Sequence, residues 1–474
     1  MKRTGHALRI VTCMMLLAMA GAQPTFAKTI VVKFIGGFQK AVNDAEAGDT
    51  VLVTNGMYTT GTDILVTKAG TADKPIIIMA QTAGQVELTG LGGISLANGA
   101  RYVIVSGFKF THSSSRARST AGTSFCRWTR NIFENEGAGE DLTIAGSDHE
   151  IDHNTFLNKK SMGRYIAIRG EGKQIAERLW IHHNYFYNFE FQGGANGAEA
   201  LQFGLSGLSM SKSNSIVEYN LFEECHGENE LISVKASNVT LRYNTIRNCK
   251  AQFTLRHGNF CEVYGNYFHN TPGLRIFGDD HHVYSNYFEV CSTGINIGNG
   301  DGEVADGAAL TCHDRPDRVL IAFNTLSNCK SNITMSARDK GMGATKITVA
   351  HNIVKGGGPA AVIAGPYTGA VWMGNFIFNT ESKGDMPDAT FSTVDPKLGR
   401  GASQAIHLLK GSPAIDAVPA PKGKKAENPF SMIKVDMDGQ PRKSPLDAGA
   451  DEFSTEPAKA GLLNPADVGA DGKL

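Results

Sequence analysis

One short phrase recurs along most of the chain and limits what it can fold into. An asparagine is followed by two residues, at least one of them large and apolar: Asn131-Ile-Phe, Asn154-Thr-Phe, Asn184-Tyr-Phe, Asn220-Leu-Phe, Asn244-Thr-Ile, Asn266-Tyr-Phe, Asn286-Tyr-Phe, Asn324-Thr-Leu, Asn352-Ile-Val and Asn375-Phe-Ile. The intervals run from 20 to 38 residues, and the shorter ones cluster near 22, so the longer ones read as the same unit carrying an inserted loop. No amphipathic helical pattern accompanies the phrase; short β-branched and aromatic runs do, such as Val239 to Tyr243 and Lys346 to Val349. A unit of that size, with two or three short strands and glycine corners, cannot bury its own apolar face, but stacked copies can. The spacing therefore predicts an all-β parallel β-helix. Strands of successive coils should lie about 4.8 Å apart, with asparagines at equivalent corners stacked as an amide ladder. His153, His182, His183 and His351 flank repeat asparagines and read as corner residues, while Phe and Tyr of the phrase read as core.

Composition agrees with one long domain. A length of 474 residues suggests about three domains on a prior of about 150 residues each, yet a single repeat runs through the chain. Glycine at 54 against proline at 16 implies many tight corners and excludes collagen-like or proline-rich architectures. Equal numbers of basic and acidic residues, 46 each, argue against a general nucleic-acid binder.

The ends differ from the middle. Lys2, Arg3 and Arg9 precede an apolar run from Ile10 to Ala20, with small residues after it, the order of a secretory signal peptide over 1–27 cleaved after Ala22 or Ala27. The run is shorter than the roughly 20 residues of a membrane span, and no later stretch could cross a bilayer, so the expectation is a periplasmic or secreted protein. Ile35 to Ala47 has helical spacing in Phe38, Val42 and Ala45, closed by Gly48-Asp49, and should cap the first coil. After about Asp395 the repeat fades. Residues 28–394 thus read as the solenoid carrying the chemistry, and 395–474 as a loop-rich C-terminal cap and tail. Without Cys13, seven cysteines remain, and Cys225, Cys249, Cys291 and Cys329 each lie five residues after a repeat asparagine. That column reads as a buried stack of thiols, with a Cys225–Cys249 disulfide as the alternative.

The unusual polar residues concentrate between Asn220 and Asn286. Glu228-Asn-Glu230 places two carboxylates on one side of a strand, where they repel unless a cation sits between them. Calcium, which takes oxygen ligands in irregular geometry, is the candidate; a solvated strand face is the alternative. Counted from the repeat asparagines, Arg256 falls on the same outward face one coil further on. Between Lys235 and Arg275 there are six basic residues and one acid, Glu262, which predicts a local basic surface for an acidic polymer. Lys235 is five residues after Glu230, so an uninterrupted strand would aim it inward. A buried unpaired lysine is costly, so a corner or bulge between Leu231 and Val234 is expected.

A cation between carboxylates, with a lysine and an arginine beside it, suits β-elimination at a uronic acid. The metal would act as a Lewis acid on the sugar carboxylate, Lys235 would take the C5 proton as a neutral amine, and Arg256 would stabilise the departing O4.

These residues resemble polysaccharide lyase family 6, the alginate lyases and chondroitinase B. The resemblance is carried by Asn220-Leu-Phe-Glu-Glu-Cys-His-Gly-Glu228-Asn-Glu230-Leu-Ile-Ser-Val-Lys235-Ala-Ser-Asn238 and by Leu255-Arg256-His257-Gly258-Asn259; the leader, opening helix, coil period and closing Gly-Ala-Asp extend it. It implies a right-handed parallel β-helix with calcium in the groove, Glu228 and Glu230 as ligands, Lys235 as base and Arg256 as acid. A third ligand is implied at Asn196, in Asn196-Gly-Ala-Glu199, where Ala198 replaces the glycine usual in the family's alginate lyases. His257, Arg275 and Glu199 fall at positions implied to meet substrate. The Asn-Gly-x-Glu match favours alginate over dermatan sulfate. Two rival readings remain: a β-helix glycoside hydrolase using Asp279-Asp280 with His281-His282, and a non-catalytic polysaccharide-binding solenoid.

Overall fold

The computed structural model describes residues 27–401, 404–419 and 430–473, so the expected signal peptide lies outside the described residues except for Ala27. The chain winds as a parallel β-helix, each full coil giving one short strand to each of three long sheets. In the order the chain visits them, the first sheet begins with Thr29–Val32, the second with Gly56–Thr60 and the third with Ile64–Val66, and they hold 14, 14 and 12 strands.

The repeat phrase marks the corner between the first and second sheets. All ten asparagines are fully buried. Each Nδ2 from Asn131 to Asn352 donates to Oδ1 of the asparagine one coil later, at 3.0–3.1 Å. The backbone N–H of each rung donates to that same oxygen, as from Asn220 to Asn244 at 3.1 Å. The residue before each asparagine takes the left-handed conformation that turns the chain, including His153, His183 and His351 with φ of 50–55°. His182 instead ends the strand Trp180–His182. Two residues after the asparagine the side chain points inward, so Phe133, Phe156, Phe186 and Phe222, with Phe110 one coil before them, form one face-to-face column with centroids 4.4–5.1 Å apart. The phrase thus encodes a polar rung and an apolar rung together.

The expected capping helix is present at Ile35–Asp44 and buries Phe38, Ala41 and Val42 against the first coil. All seven cysteines among the described residues are free thiols, and six of them are buried. Beyond the last coil strand, Phe391–Ser392, a hairpin of Leu398–Arg400 and Ile406–Leu408 turns the chain back. The remaining tail runs along the outside of the second sheet toward the N-terminus. Its N–H groups at Ala450, Leu463 and Ala470 donate to the hydroxyls of Thr325, Thr245 and Thr155 in turn, each the residue after a repeat asparagine. Gly449 sits where a β-carbon would collide with Ile353 and Thr325, at φ +91°, which accounts for the glycine of Asp447-Ala-Gly-Ala-Asp451.

Candidate active site

The third sheet carries the site on its outer face. Strand Glu230–Lys235 pairs with Gln252–His257, and its register slips twice: Glu230 faces Gln252 and Ile232 faces Phe253, leaving Leu231 as an extra residue, and Lys235 faces His257, leaving Arg256 extra on the partner strand. The first slip is the interruption that the Lys235 spacing demands, but it lies at Leu231, between Glu230 and Ile232, and the stretch from Ile232 to Val234 where it was expected is regular. Ile232 and Val234 fill the core, Ser233 donates to Glu230 Oε2 at 2.6 Å, and Lys235 returns to the outer face with 18% of its side chain exposed. The second slip swings Arg256 over Glu230, its Nε 3.6 Å from Oε1, where Arg275 Nη2 also donates at 2.5 Å.

Three acids converge beside this pair. Glu199, Glu228 and Glu230 are 2%, 3% and 9% exposed. Glu228 Oε1 accepts the N–H groups of Gly197 (2.9 Å) and Ala198 (3.3 Å), so the bend that presents exposed Asn196 is tied to the first glutamate. Burial, then the facing Glu199 and Glu230 carboxylates, push the Glu228 carboxyl up to about 7. Glu199, expected at the substrate, is instead enclosed by protein. Its Oε2 accepts from Arg164 Nε at 2.9 Å, and its Oε1 accepts from Gln202 Nε2 at 2.5 Å and lies 3.9 Å from Lys235 Nζ. His257 accepts from Arg256 Nη1 at Nε2, 2.5 Å away. Burial, with Arg256, Lys235 and His313 nearby, drives its pKa down to about 3, so it is a neutral ring.

A family model described as chondroitinase B matches residues 32–383. The chain belongs to the chondroitinase B family. Within this family, polysaccharide lyase family 6, it resembles the alginate lyase AlyGC at 25% identity, over 80% of this chain and 55% of that one, with a TM-score of 0.72. A mutant of AlyGC is 22% identical over 93% of this chain and 58% of that one, at 0.75. A mannuronic-acid-specific family 6 lyase from the human gut microbiota is 24% identical over 78% of this chain and 91% of that one, at 0.67. The chain therefore spans little more than half the length of the AlyGC chains. No curated protein matches it.

Several features of this family 6 site escape sequence reasoning. The basic run from Lys235 to Arg275 does not form one surface: Arg242 pairs with Glu218 on the first sheet, Arg247 with Glu223 on the second, and Lys250 lies at the corner between the second and third, leaving Lys235, Arg256 and Arg275 on the third. The groove's further cations come from distant coils. Arg164 and Arg169 lie on one side of Lys235, and Arg338 lies on the other. Arg256, Arg275 and Arg338 surround the Phe277 ring at 5.6–5.9 Å. Arg338 in turn pairs with Asp301, which also holds the His313 ring at 3.0 Å. Asp301 and His313 belong to the long insertion between Asn286 and Asn324, whose length was the one signal available for them. Arg275, Phe277, Asn296, Asn299 and Arg338 help line a cleft of about 170 Å³ beside the site.

The rival hydrolytic pair is differently employed. Asp279 and Asp280 both bind Arg318, at 3.3 and 2.7 Å, and do not face one another across a gap for water and sugar. Two other His-carboxylate clusters, Glu150–Asp152–His182 and His407–Asp438–Asp451, lie on the first sheet and under the tail, away from the groove.

Proposed function

We propose that this protein is a secreted or periplasmic polysaccharide lyase that cleaves alginate by calcium-assisted β-elimination. One observation carries the reading: Lys235, Arg256 and the acid cluster of Glu228 and Glu230 occupy a single outer face, although regular strand spacing would have turned the lysine inward.

The residues supply both ends of the elimination. Lys235, as a neutral amine, takes the proton from C5 of the uronate. The electron pair forms the C4–C5 double bond as the C4–O4 bond breaks, and the departing O4 takes a proton through water on the Arg256 side, where the guanidinium stabilises its charge. His257, neutral and bonded to Arg256, keeps that guanidinium over the groove. Arg275, shared with Glu230, offers further donors to an anionic polymer.

Asn196, Glu228 and Glu230 would hold calcium, a donor set of hard oxygens. Burial raises the Glu228 carboxyl most and the facing Glu199 and Glu230 charges add to it, a repulsion such a cation would relieve, and the Glu230 oxygens bonded to Arg275 and Ser233 each keep a second lone pair. Bound there, calcium would offset the charge of the sugar carboxylate and so make its neighbouring C5 hydrogen more acidic.

Alginate is favoured by the Asn196-Gly-Ala-Glu199 bend and by the similarity to structures of alginate lyases; secretion is supported by the leader at 1–27. Dermatan sulfate is the second reading, favoured by the matching family model. Ultraviolet absorbance of the unsaturated product, followed on alginate blocks and on dermatan sulfate with and without a chelator, tests the proposal. Absorbance on alginate that a chelator abolishes is expected; products of hydrolysis without absorbance, or no cleavage of either polymer, would reject it.

A further inference from the structure

Both halves of the site, the lysine side and the carboxylate side, rest on one guanidinium that touches neither Lys235 nor Glu228. Arg164 stands just before strand Ile166–Ile168, one coil ahead of Glu199. Its Nε donates to Glu199 Oε2 at 2.9 Å and its Nη1 to Glu140 Oε1 at 3.1 Å. With one oxygen of Glu199 fixed, the other is aimed at Gln202 (2.5 Å) and Lys235 (3.9 Å). The same guanidinium lies beneath the Asn196-Gly197 bend. Gly197 has φ of +114°, a β-carbon there would stand 3.3 Å from Arg164 Nη2, and the Gly197 N–H is the nearer of the two that donate to Glu228 Oε1. Gly163 N–H, next to Arg164, bonds the Gly197 carbonyl at 2.9 Å and fastens the bend from the same segment.

We propose that Arg164 is a positioning residue of the active site, orienting Lys235 through Glu199 and Glu228 through the Gly197 bend, with Glu140 as its anchor. The inference rests on the reading of Lys235 as base and Glu228 as cation ligand. Removing the guanidinium frees Glu199 to rotate and pair fully with the lysine, and takes the support from under the bend. Losing such an outer partner costs about 10- to 100-fold in activity. The loss is expected on kcat, because the Arg164 contacts with Glu199, Glu140 and the Gly197 bend set the placement of Lys235 and Glu228.

The test compares Arg164→Ala, Arg164→Lys, Glu199→Gln and the double variant Arg164→Ala/Glu199→Gln on the polymer that the unaltered protein cleaves, with thermal melts of each. Expected are a kcat loss of about 10- to 100-fold for Arg164→Ala with KM changed less than about 2-fold, partial recovery in Arg164→Lys, and a less than additive further loss, through the Gly197 bend alone, when Arg164→Ala is added to Glu199→Gln. A raised KM with unchanged kcat, an additive double variant, or unaltered activity would overturn the proposal. Crystal structures give a readout independent of turnover, and Arg164→Lys and Glu199→Gln carry it if Arg164→Ala does not fold. Glu199 and the Gly197 N–H should leave their present partners, and unmoved positions would also overturn it. An unaltered protein that cleaves no uronate polymer would reject the lyase reading instead, while the crystallographic comparison still decides on Arg164.

Discussion

Glu230 and Lys235 stand five residues apart on one strand and face the same side of the sheet, because Leu231 has no partner on the neighbouring strand. An odd separation would otherwise bury one of the two charges. The slip thus puts an amine and a carboxylate cluster on one face without an unpaired ion in the core. If the amine is the base, Lys235→Ala should lower kcat by about 100- to 10,000-fold while leaving polymer binding, measured by calorimetry, nearly unchanged. A purely binding solenoid would show the reverse, lost affinity with no turnover to lose.

The amide ladder makes a prediction about position within the solenoid. Asn244 donates to Val217, Arg242 and Asn266 and accepts from both the backbone and the side chain of Asn220. Asn375 ends the ladder: it accepts from the backbone and side chain of Asn352, and its Nδ2 donates to Val349 with no further asparagine rung beyond it among the described residues. Each buried group left unpaired costs about 1–3 kcal/mol, so Asn244→Ala should destabilise by about 3–5 kcal/mol and Asn375→Ala by clearly less. Equilibrium unfolding in denaturant checks the order; equal losses would mean that the rungs do not act through their hydrogen bonds.

How far the sequence could be read follows from the same ladder. The asparagine, its left-handed neighbour and the inward residue two places on lie within four consecutive positions, so coil period, corner and core column are all visible in a linear text. The Glu228, Glu230 and Lys235 group is legible for the same reason. Arg164, Gln202, Arg338 and Asp301 are not, because what brings them to the groove is the stacking of coils separated by inserts of unequal length. Arg242 and Arg247 show the converse: neighbours of Lys235 in sequence, they point from other sheets. The tail's return along the second sheet was equally hidden, since its partners are scattered single side chains, among them Arg130, Thr245 and Tyr267, with no pattern of their own.

The cysteine column bears on redox behaviour. Cys225 lies fully buried in the core with its thiol bonded toward the Phe186 carbonyl, and burial pushes that thiol well above its ordinary range. Thiol titration of the native protein should therefore label Cys312, which is only partly buried, well before the other six described cysteines, and all of them after denaturation. Reductant should leave the melting temperature unchanged. A drop in melting temperature on reduction, or a mass two hydrogens short, would instead point to the Cys225–Cys249 bond.

The tail supplies a pH dependence whose sign can be worked out. His407 Nε2 lies 2.7 Å from Asp438 Oδ2, and Asp451 stands close by, its Oδ2 accepting the Leu408 N–H. Burial opposes the charged ring, but the Asp438 hydrogen bond and the charges of Asp438 and Asp451 outweigh it and lift His407 from an ordinary 6.5 to about 9. Below pH 6.5 the ring is protonated in both folded and unfolded chains, and the stabilisation is complete. Between about 6.5 and 9 the unfolded chain releases its proton first and the advantage of the folded state shrinks, until above 9 it is gone. The melting temperature should therefore fall as pH rises through that window, and His407→Gln should flatten the slope. Because the group sits under the tail and not in the groove, the pH profile of turnover should keep its shape in His407→Gln. A slope that persists in the variant would assign the pH dependence to another group.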